Sequence, residues 1–195
     1  MCGGMKGGSL ELILGPMFSG KSTELLRQIN RDSAIGRPFL AVNHILDCQR
    51  YSVAGVSTHK TAAGHQVVDA LVMDRLLPLL DKRQFAQCDS LYVNEAQFFP
   101  DLLEFAKTVL RDHPGKRVVL SGLDGDSEQR PFEQVVACVP LADRVRKLLA
   151  QCSVCRDGTL APFTVRRRGC SDSRVHVGGA DVYRPVCRAH LGEFV

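Results

Sequence analysis

Short, almost wholly apolar runs alternate along this chain with longer amphipathic ones. Leu10-Glu11-Leu12-Ile13-Leu14, Phe39-Leu40-Ala41-Val42, Ser90-Leu91-Tyr92-Val93-Asn94 and Arg117-Val118-Val119-Leu120 are such runs, and they read as strands buried on both faces. After the first of them Leu25, Leu26, Ile29 and Ala34 recur at helical spacing, and Gly36 with Pro38 closes the helix. The spacing predicts a second helix over Ala70 to Leu80, with Pro78 late in it, and Pro100 reads as the N1 residue of a third that runs to about Arg111. From Asn43 to Gly64 there is no clear periodicity, and Gly55, Ser57, Thr58 and His59 suggest a mobile loop. Gly122 to Pro131 reads as a polar loop, and Val145 to Leu149 suits a last core strand nearly as well as a helix. Strands alternating with helices predict a parallel sheet with right-handed crossovers.

From Gln151 onward the pattern changes to paired cysteines, few helix signals and many charges. The expected organisation is a flexible glycine-rich tail over 1–9, an α/β domain over 10–150 and a smaller unit over 151–195. With 195 residues, 45% of them hydrophobic, the chain can build a real core. No apolar run is long enough to span a bilayer, and the first eight residues lack the apolar centre of a signal peptide, so a cytoplasmic protein is expected. The net charge of +4 is modest, with arginines gathered late at Arg166-Arg167-Arg168, Arg184 and Arg188. Such a cluster suits a polyphosphate as well as it suits nucleic acid.

The chemistry starts at Gly15-Pro16-Met17-Phe18-Ser19-Gly20-Lys21-Ser22, between the first strand and the first helix. This Gly-x-x-x-x-Gly-Lys-Ser pattern curls backbone N–H groups around phosphate oxygens at a helix N-terminus, with Lys21 reaching the β- and γ-phosphates and Ser22 a Mg²⁺ ion. At the end of the third strand run, Asn94-Glu95-Ala96-Gln97-Phe98-Phe99 places Glu95 where ligands gather in an open parallel sheet, to orient a hydroxyl for phosphoryl transfer. Of the eight cysteines, Cys152, Cys155 and Cys187 form a pattern with His190: two short-spaced pairs that suit a closed, four-ligand structural Zn²⁺ site. Tyr183, beyond Gly178-Gly179, is placed to stack on a ligand or close over one.

Taken in order, Gly15 to Leu25, Arg50-Tyr51-Ser52, Thr58-His59, Glu95 to Pro100, Leu123-Asp124-Gly125, Pro131-Phe132, the Cys-x-x-Cys and Gly178 to Cys187 resemble thymidine kinases of the cellular, or type II, class. The resemblance runs over roughly residues 10 to 191. It implies an α/β, P-loop (RecA-like) parallel sheet with helices on both faces, plus a small C-terminal zinc-binding subdomain. It also implies transfer of the γ-phosphate of ATP, with Mg²⁺, to the 5′-hydroxyl of thymidine or deoxyuridine. In that reading Glu95 is the general base, and Arg50, Asn94 and Gln97 join the phosphate loop around the nucleotide. Met17, Phe98, Leu123, Phe132, Val175, His176, Val177 and Tyr183 surround the nucleoside, and residues 122 to 132 form a lasso over its base. A homotetramer inhibited by thymidine triphosphate is implied too, with no membrane or nucleic acid as partner.

The chain departs from the family pattern in four places. Asn94 replaces the Asp that usually holds Mg²⁺ through water, which predicts weaker metal placement and slower catalysis. Ser127 stands where the lasso usually carries Phe, removing an aromatic contribution to the pocket. Asp47-Cys48-Gln49-Arg50 has one residue more than the usual Asp-x-Arg, which predicts a displaced Asp47, and His190 replaces a fourth Cys. A second reading, from another class, is a P-loop protein with a zinc ribbon that binds nucleic acid without phosphorylating nucleosides; Asn94 and the arginine cluster support it.

Overall fold

The computed structural model describes residues 8–51, 55–57, 67–167 and 178–194. Twelve strands are present among them: β1 (Ser9–Leu14), β2 (Phe39–His44), β3 (Gly55–Ser57), β4 (Val67–Asp69), β5 (Leu71–Met73), β6 (Ser90–Val93), β7 (Arg117–Gly122), β8 (Arg144–Lys147), β9 (Ala150–Gln151), β10 (Leu160–Ala161), β11 (Phe163–Arg166) and β12 (Tyr183–Val186). The α-helices are α1 (Lys21–Ala34), α2 (Ile45–Tyr51), α3 (Arg83–Gln87), α4 (Leu102–Asp112) and α5 (Glu133–Val136). Six strands form one sheet in the order β5-β2-β6-β7-β1-β8, with every pairing parallel.

Alternation along the apolar strands divides the core in two. Leu10, Leu12, Val42, Leu91, Val93, Val118 and Leu120 point to one face, where Phe85 of α3, Leu102, Phe105 and Val109 of α4 and Val135 of α5 cover them. Ile13, Ala41, Tyr92 and Val119 point to the other, against Leu25, Leu26 and Ile29 of α1 and Val56 of β3. Helices therefore cover both faces of a parallel sheet, as the α/β reading requires. The Tyr92 hydroxyl on the α1 face donates to Asp32 at 2.8 Å and accepts from Arg117 at 2.7 Å, so a buried phenol meets its partners between helix and sheet. A third, smaller cluster forms toward the C-terminus from Ala150, Cys152, Ala161, Val165, Val186 and Cys187.

The strands read from apolar runs are present, and four other expectations change. Ala70 to Leu80 is no helix: it contains β5 and a single helical turn at Leu77–Leu79. Val72 favours extended backbone, β5 finds a ladder on the edge of β2, and both carboxylate oxygens of Asp101 take the N–H groups of Leu76 and Leu77 at 2.9 to 3.0 Å. The stretch from Asn43 is more ordered than a loop, carrying the end of β2, then α2 and β3, while 58–66 lies outside the described residues. Val145 to Leu149 overlaps β8, an edge strand with Val145 exposed, so it is no core strand. Pro100 sits just before Asp101, the residue that caps α4, and so lies outside the helix.

Candidate active site

The carboxyl ends of β1, β2, β6 and β7 converge on one edge of the sheet. β1 runs into the phosphate loop at Gly15, whose φ of 143° is open to glycine and where a Cβ would meet the Leu148 carbonyl oxygen at 2.3 Å. Gly20, in the left-handed region at φ 84°, turns the chain into α1, with Ser22 in its first turn. Within the loop the Pro16 carbonyl accepts from Lys21 Nζ at 2.7 Å and from Ser19 Oγ at 2.8 Å. Lys21 is buried; desolvation lowers its pKa, while the charges of Glu95 and Asp124 oppose that shift. A buried ammonium ion whose neutral partner is only a carbonyl is prepared to turn to phosphate oxygens.

One contact of the loop has no signal in the sequence. The Met17 N–H donates to Thr164 Oγ1 at 2.9 Å, across a separation of 147 residues, and so joins the phosphate loop to β11. Thr164 is buried, and in the sequence it is one polar position in a run that alternates as any edge strand would.

Glu95 follows β6 and Asn94 in the left-handed conformation, φ 50°, so the chain turns sharply and presents this side chain at the sheet edge. Gln97 braces it, its amide NH₂ donating to Glu95 Oε2 while its Oε1 accepts the Leu123 N–H at 3.0 Å. Gly122 leaves room for that Gln97 oxygen, which a Cβ would approach to 2.8 Å. Burial raises the Glu95 pKa and the Asp47 carboxylate raises it further, against the opposing pull of Lys21 and Gln97. Asp47, on α2, accepts from Asn43 Nδ2 at 2.9 Å. The Arg50 side chain lies outside the described residues.

Several of the residues expected to meet a nucleoside are described. Phe98 is half-buried with its ring centroid 5.5 Å from that of His44, and Leu123 and Phe132 are half-buried as well. Tyr183 is buried at the start of β12, its ring under the Arg166 guanidinium. Gly178 lets that ring approach the backbone, since a Cβ would lie 3.0 Å from Tyr183 Cε2. Val175, His176 and Val177 lie outside the described residues. The lasso segment is organised by Asp126, which accepts from the N–H groups of Glu128 and Arg130 at 2.9 and 3.0 Å and from Arg130 Nε at 2.9 Å. Ser127 is half-buried beside it.

At the C-terminal cluster the possible ligand atoms of Cys152, Cys155, Cys187 and His190 lie within 4.8 Å of one another. His190 Nδ1 is 3.8, 3.4 and 3.2 Å from the sulfurs of Cys152, Cys155 and Cys187, and the sulfurs of Cys155 and Cys187 are 3.8 Å apart. A tetrahedron with bonds of about 2.3 Å has edges of about 3.8 Å, so these separations suit a four-coordinate metal. Burial pushes the Cys152 thiol up, but backbone N–H groups of Cys155, Cys187 and Val154 outweigh it and bring the thiol down to about 6. Burial and the neighbouring thiols push Cys155 up to about 11.

A phosphate loop between β1 and α1, facing a carboxylate at the end of β6 on the same sheet edge, defines the class of P-loop phosphotransferases. The chain belongs to the thymidine kinase family, whose profile matches residues 8–191. It is 40% identical over 186 residues to "Thymidine kinase a" of Arabidopsis thaliana, which covers 94% of this chain and 74% of that protein. "Thymidine kinase" of Variola virus is 34% identical over 184 residues, covering 94% and 97%. "Thymidine kinase, cytosolic" of Gallus gallus is 36% identical over 182 residues, covering 93% and 76%. Family membership makes the chain an ATP-dependent kinase of thymidine, and the nucleic-acid-binding reading is not favoured. Among the described residues no helix is long and apolar enough to cross a membrane.

Proposed function

We propose that this chain transfers the γ-phosphate of ATP to the 5′-hydroxyl of thymidine, and of deoxyuridine, in cytoplasmic nucleotide salvage for DNA synthesis. The observation that carries the reading is Glu95: a braced carboxylate of raised pKa, close enough to Lys21 for each to shift the other. Gly15, Pro16, Met17, Phe18, Ser19, Gly20, Lys21 and Ser22 bind the triphosphate, with Arg50, Asn94 and Gln97 around it. Glu95 accepts the proton of the 5′-hydroxyl and holds that oxygen in line with the γ-phosphorus, and Lys21 neutralises charge on the transferring group. Met17, Phe98, Leu123, Phe132, Val175, His176, Val177 and Tyr183 hold the nucleoside beneath the lasso.

The donor set fits a magnesium ion. Ser22 stands in the first turn of α1, and the Asn94 side-chain oxygen is buried without a hydrogen-bond partner among the described residues, which suits a hydrogen bond from metal-bound water. When bound, Mg²⁺ supplies charge neutralisation at the β- and γ-phosphates. Zn²⁺ on Cys152, Cys155, Cys187 and His190 is structural, tying together the residues over 151–195 that follow the nucleotide-binding domain over 10–150. A homotetramer and inhibition by thymidine triphosphate complete the reading, on the strength of the family resemblance.

Purified protein incubated with ATP, Mg²⁺ and each of thymidine, deoxyuridine, deoxycytidine and deoxyadenosine tests it. Monophosphates of thymidine and deoxyuridine are expected. Phosphorylation of no pyrimidine nucleoside would overturn the reading.

A further inference from the structure

Asn43, the last residue but one of β2, and Asn94, which follows β6, lie at the ends of adjacent strands in line with Ala41 and Tyr92 of the α1 face. Both amides are buried. An amide has two unlike ends, and the network around it decides which end points where. Asn43 is determined first. Its Oδ1 accepts the His44 N–H at 3.0 Å, and its Nδ2 donates to the Gly55 carbonyl at 3.0 Å and to Asp47 Oδ2 at 2.9 Å. Turned over, it would set an NH₂ group against an N–H and an oxygen against a carboxylate.

That orientation fixes the neighbour. Asn94 Nδ2 donates to Asn43 Oδ1 at 3.1 Å, and a turned Asn94 would set oxygen against oxygen. The Asn94 Oδ1 is therefore the end of the amide not turned to Asn43 on β2, and on the other side of β6 lie β7 and then β1 with its phosphate loop. It is among the buried side-chain oxygens with no hydrogen-bond partner among the described residues. A buried acceptor left unpaired is costly, so the site favours an incoming donor at that point.

We propose that Asn43 is a positioning residue of the phosphoryl-transfer site: it locks the Asn94 amide so that its oxygen, and not its NH₂ group, faces the water shell of the cation carried by the nucleotide. The inference rests on the nucleotide and Mg²⁺ reading above and adds a residue to it. Water on a divalent cation can only donate, so an amide oxygen is matched to it and an amide NH₂ opposes it. Asn43 thereby lets a neutral residue do part of the work of a carboxylate. Asp47 and Gly55 set the direction from behind.

The test is the gain in ADP affinity that Mg²⁺ confers, measured by titration calorimetry on the full chain with Mg²⁺ and again with EDTA. The Mn²⁺ signal of the ADP complex in electron paramagnetic resonance gives a second readout without turnover. Asn43→Ala and Asn94→Ala are each expected to lower the metal-dependent gain about fivefold to tenfold. The double variant is expected to fall no further than either single one, since both remove the same oriented oxygen. Asn94→Asp is expected to raise the gain about tenfold. Should Asn43→Ala not fold, Asn43→Ser takes its place, its shorter side chain being unable to reach both Gly55 and Asn94. A metal-dependent gain that survives loss of the Asn43 amide, or losses that add in the double variant, would overturn the proposal while leaving the kinase reading intact. Failure of the parent protein to bind ADP in either condition would remove the nucleotide reading and this inference together.

Discussion

The phosphate loop and the C-terminal cluster are joined by the Met17 to Thr164 hydrogen bond, and they are held by different means. The loop is fixed by backbone geometry, with Gly15 and Gly20 at positive φ, and by its attachment to β1 and α1, whose side chains lie in a large apolar core. Among the described residues the C-terminal cluster has six buried hydrophobic residues, two of them cysteines. Its three thiols and His190 lie close enough together to share one metal ion, which on the reading above supplies the rest of its order. Substrate chemistry in one region and architecture in the other should therefore fail separately. Binding of ADP reports on the first, and thymidine KM reports on the second.

The largest expected effect lies in the chemical region alone. Glu95→Gln is expected to lower kcat by about a thousandfold, the middle of the range for losing a general base, with ADP affinity retained. Steady-state kinetics beside calorimetry checks it, and equal turnover would remove Glu95 as the base. The pH profile adds a sign. Burial and Asp47 raise the Glu95 pKa, so the carboxylate is lost at a higher pH than an ordinary Glu, and kcat/KM falls with decreasing pH from above the usual value of about 4.3. An acid limb at or below that value would mean that the carboxyl is better solvated than its surroundings imply.

Next in size is the metal cluster. Cys155→Ser, or removal of the metal by a strong chelator, is expected to raise thymidine KM by roughly tenfold or more while ADP still binds. Metal analysis of the parent protein should give close to one zinc per chain. Loss of ADP binding in parallel with thymidine binding would erase the distinction between the two regions.

The two regions were unequally legible in the sequence, and for a physical reason. The loop and its flanking strand and helix are a local pattern: contiguous residues whose glycines, lysine and apolar periodicity all act within about one turn of each other. Glu95 stands out in the sequence because it follows an almost wholly apolar strand, and Cys152, Cys155, Cys187 and His190 because ligand pairs keep short spacings. α2 escaped notice because it is short and its first residue, Ile45, is exposed, leaving no apolar stripe to read. Over Ala70 to Leu80 apolar spacing suggested a helix, yet the free edge of β2 and the Asp101 carboxylate decided for a strand and a turn. Contacts through space left no pattern at all: the Asn43 to Asn94 pair spans 51 residues and Met17 to Thr164 spans 147.

That last contact is where the comparison can be sharpened, because it is the seam between the regions. Thr164→Val keeps the shape of the side chain and removes the oxygen that accepts the Met17 N–H. Met17 is half-exposed, so water can take over part of the bond, and the loss should stay near 1 kcal/mol. Thymidine KM is then expected to rise about fivefold, with kcat and ADP affinity nearly unchanged, and Thr164→Ser, which keeps the oxygen, to restore most of it. If ADP affinity fell instead, the threonine would be supporting the phosphate loop itself, and the C-terminal cluster would belong to the donor site as much as to the nucleoside site. If neither constant moved, the loop would hold its shape without help from β11, and its glycines and its junction with α1 would be sufficient.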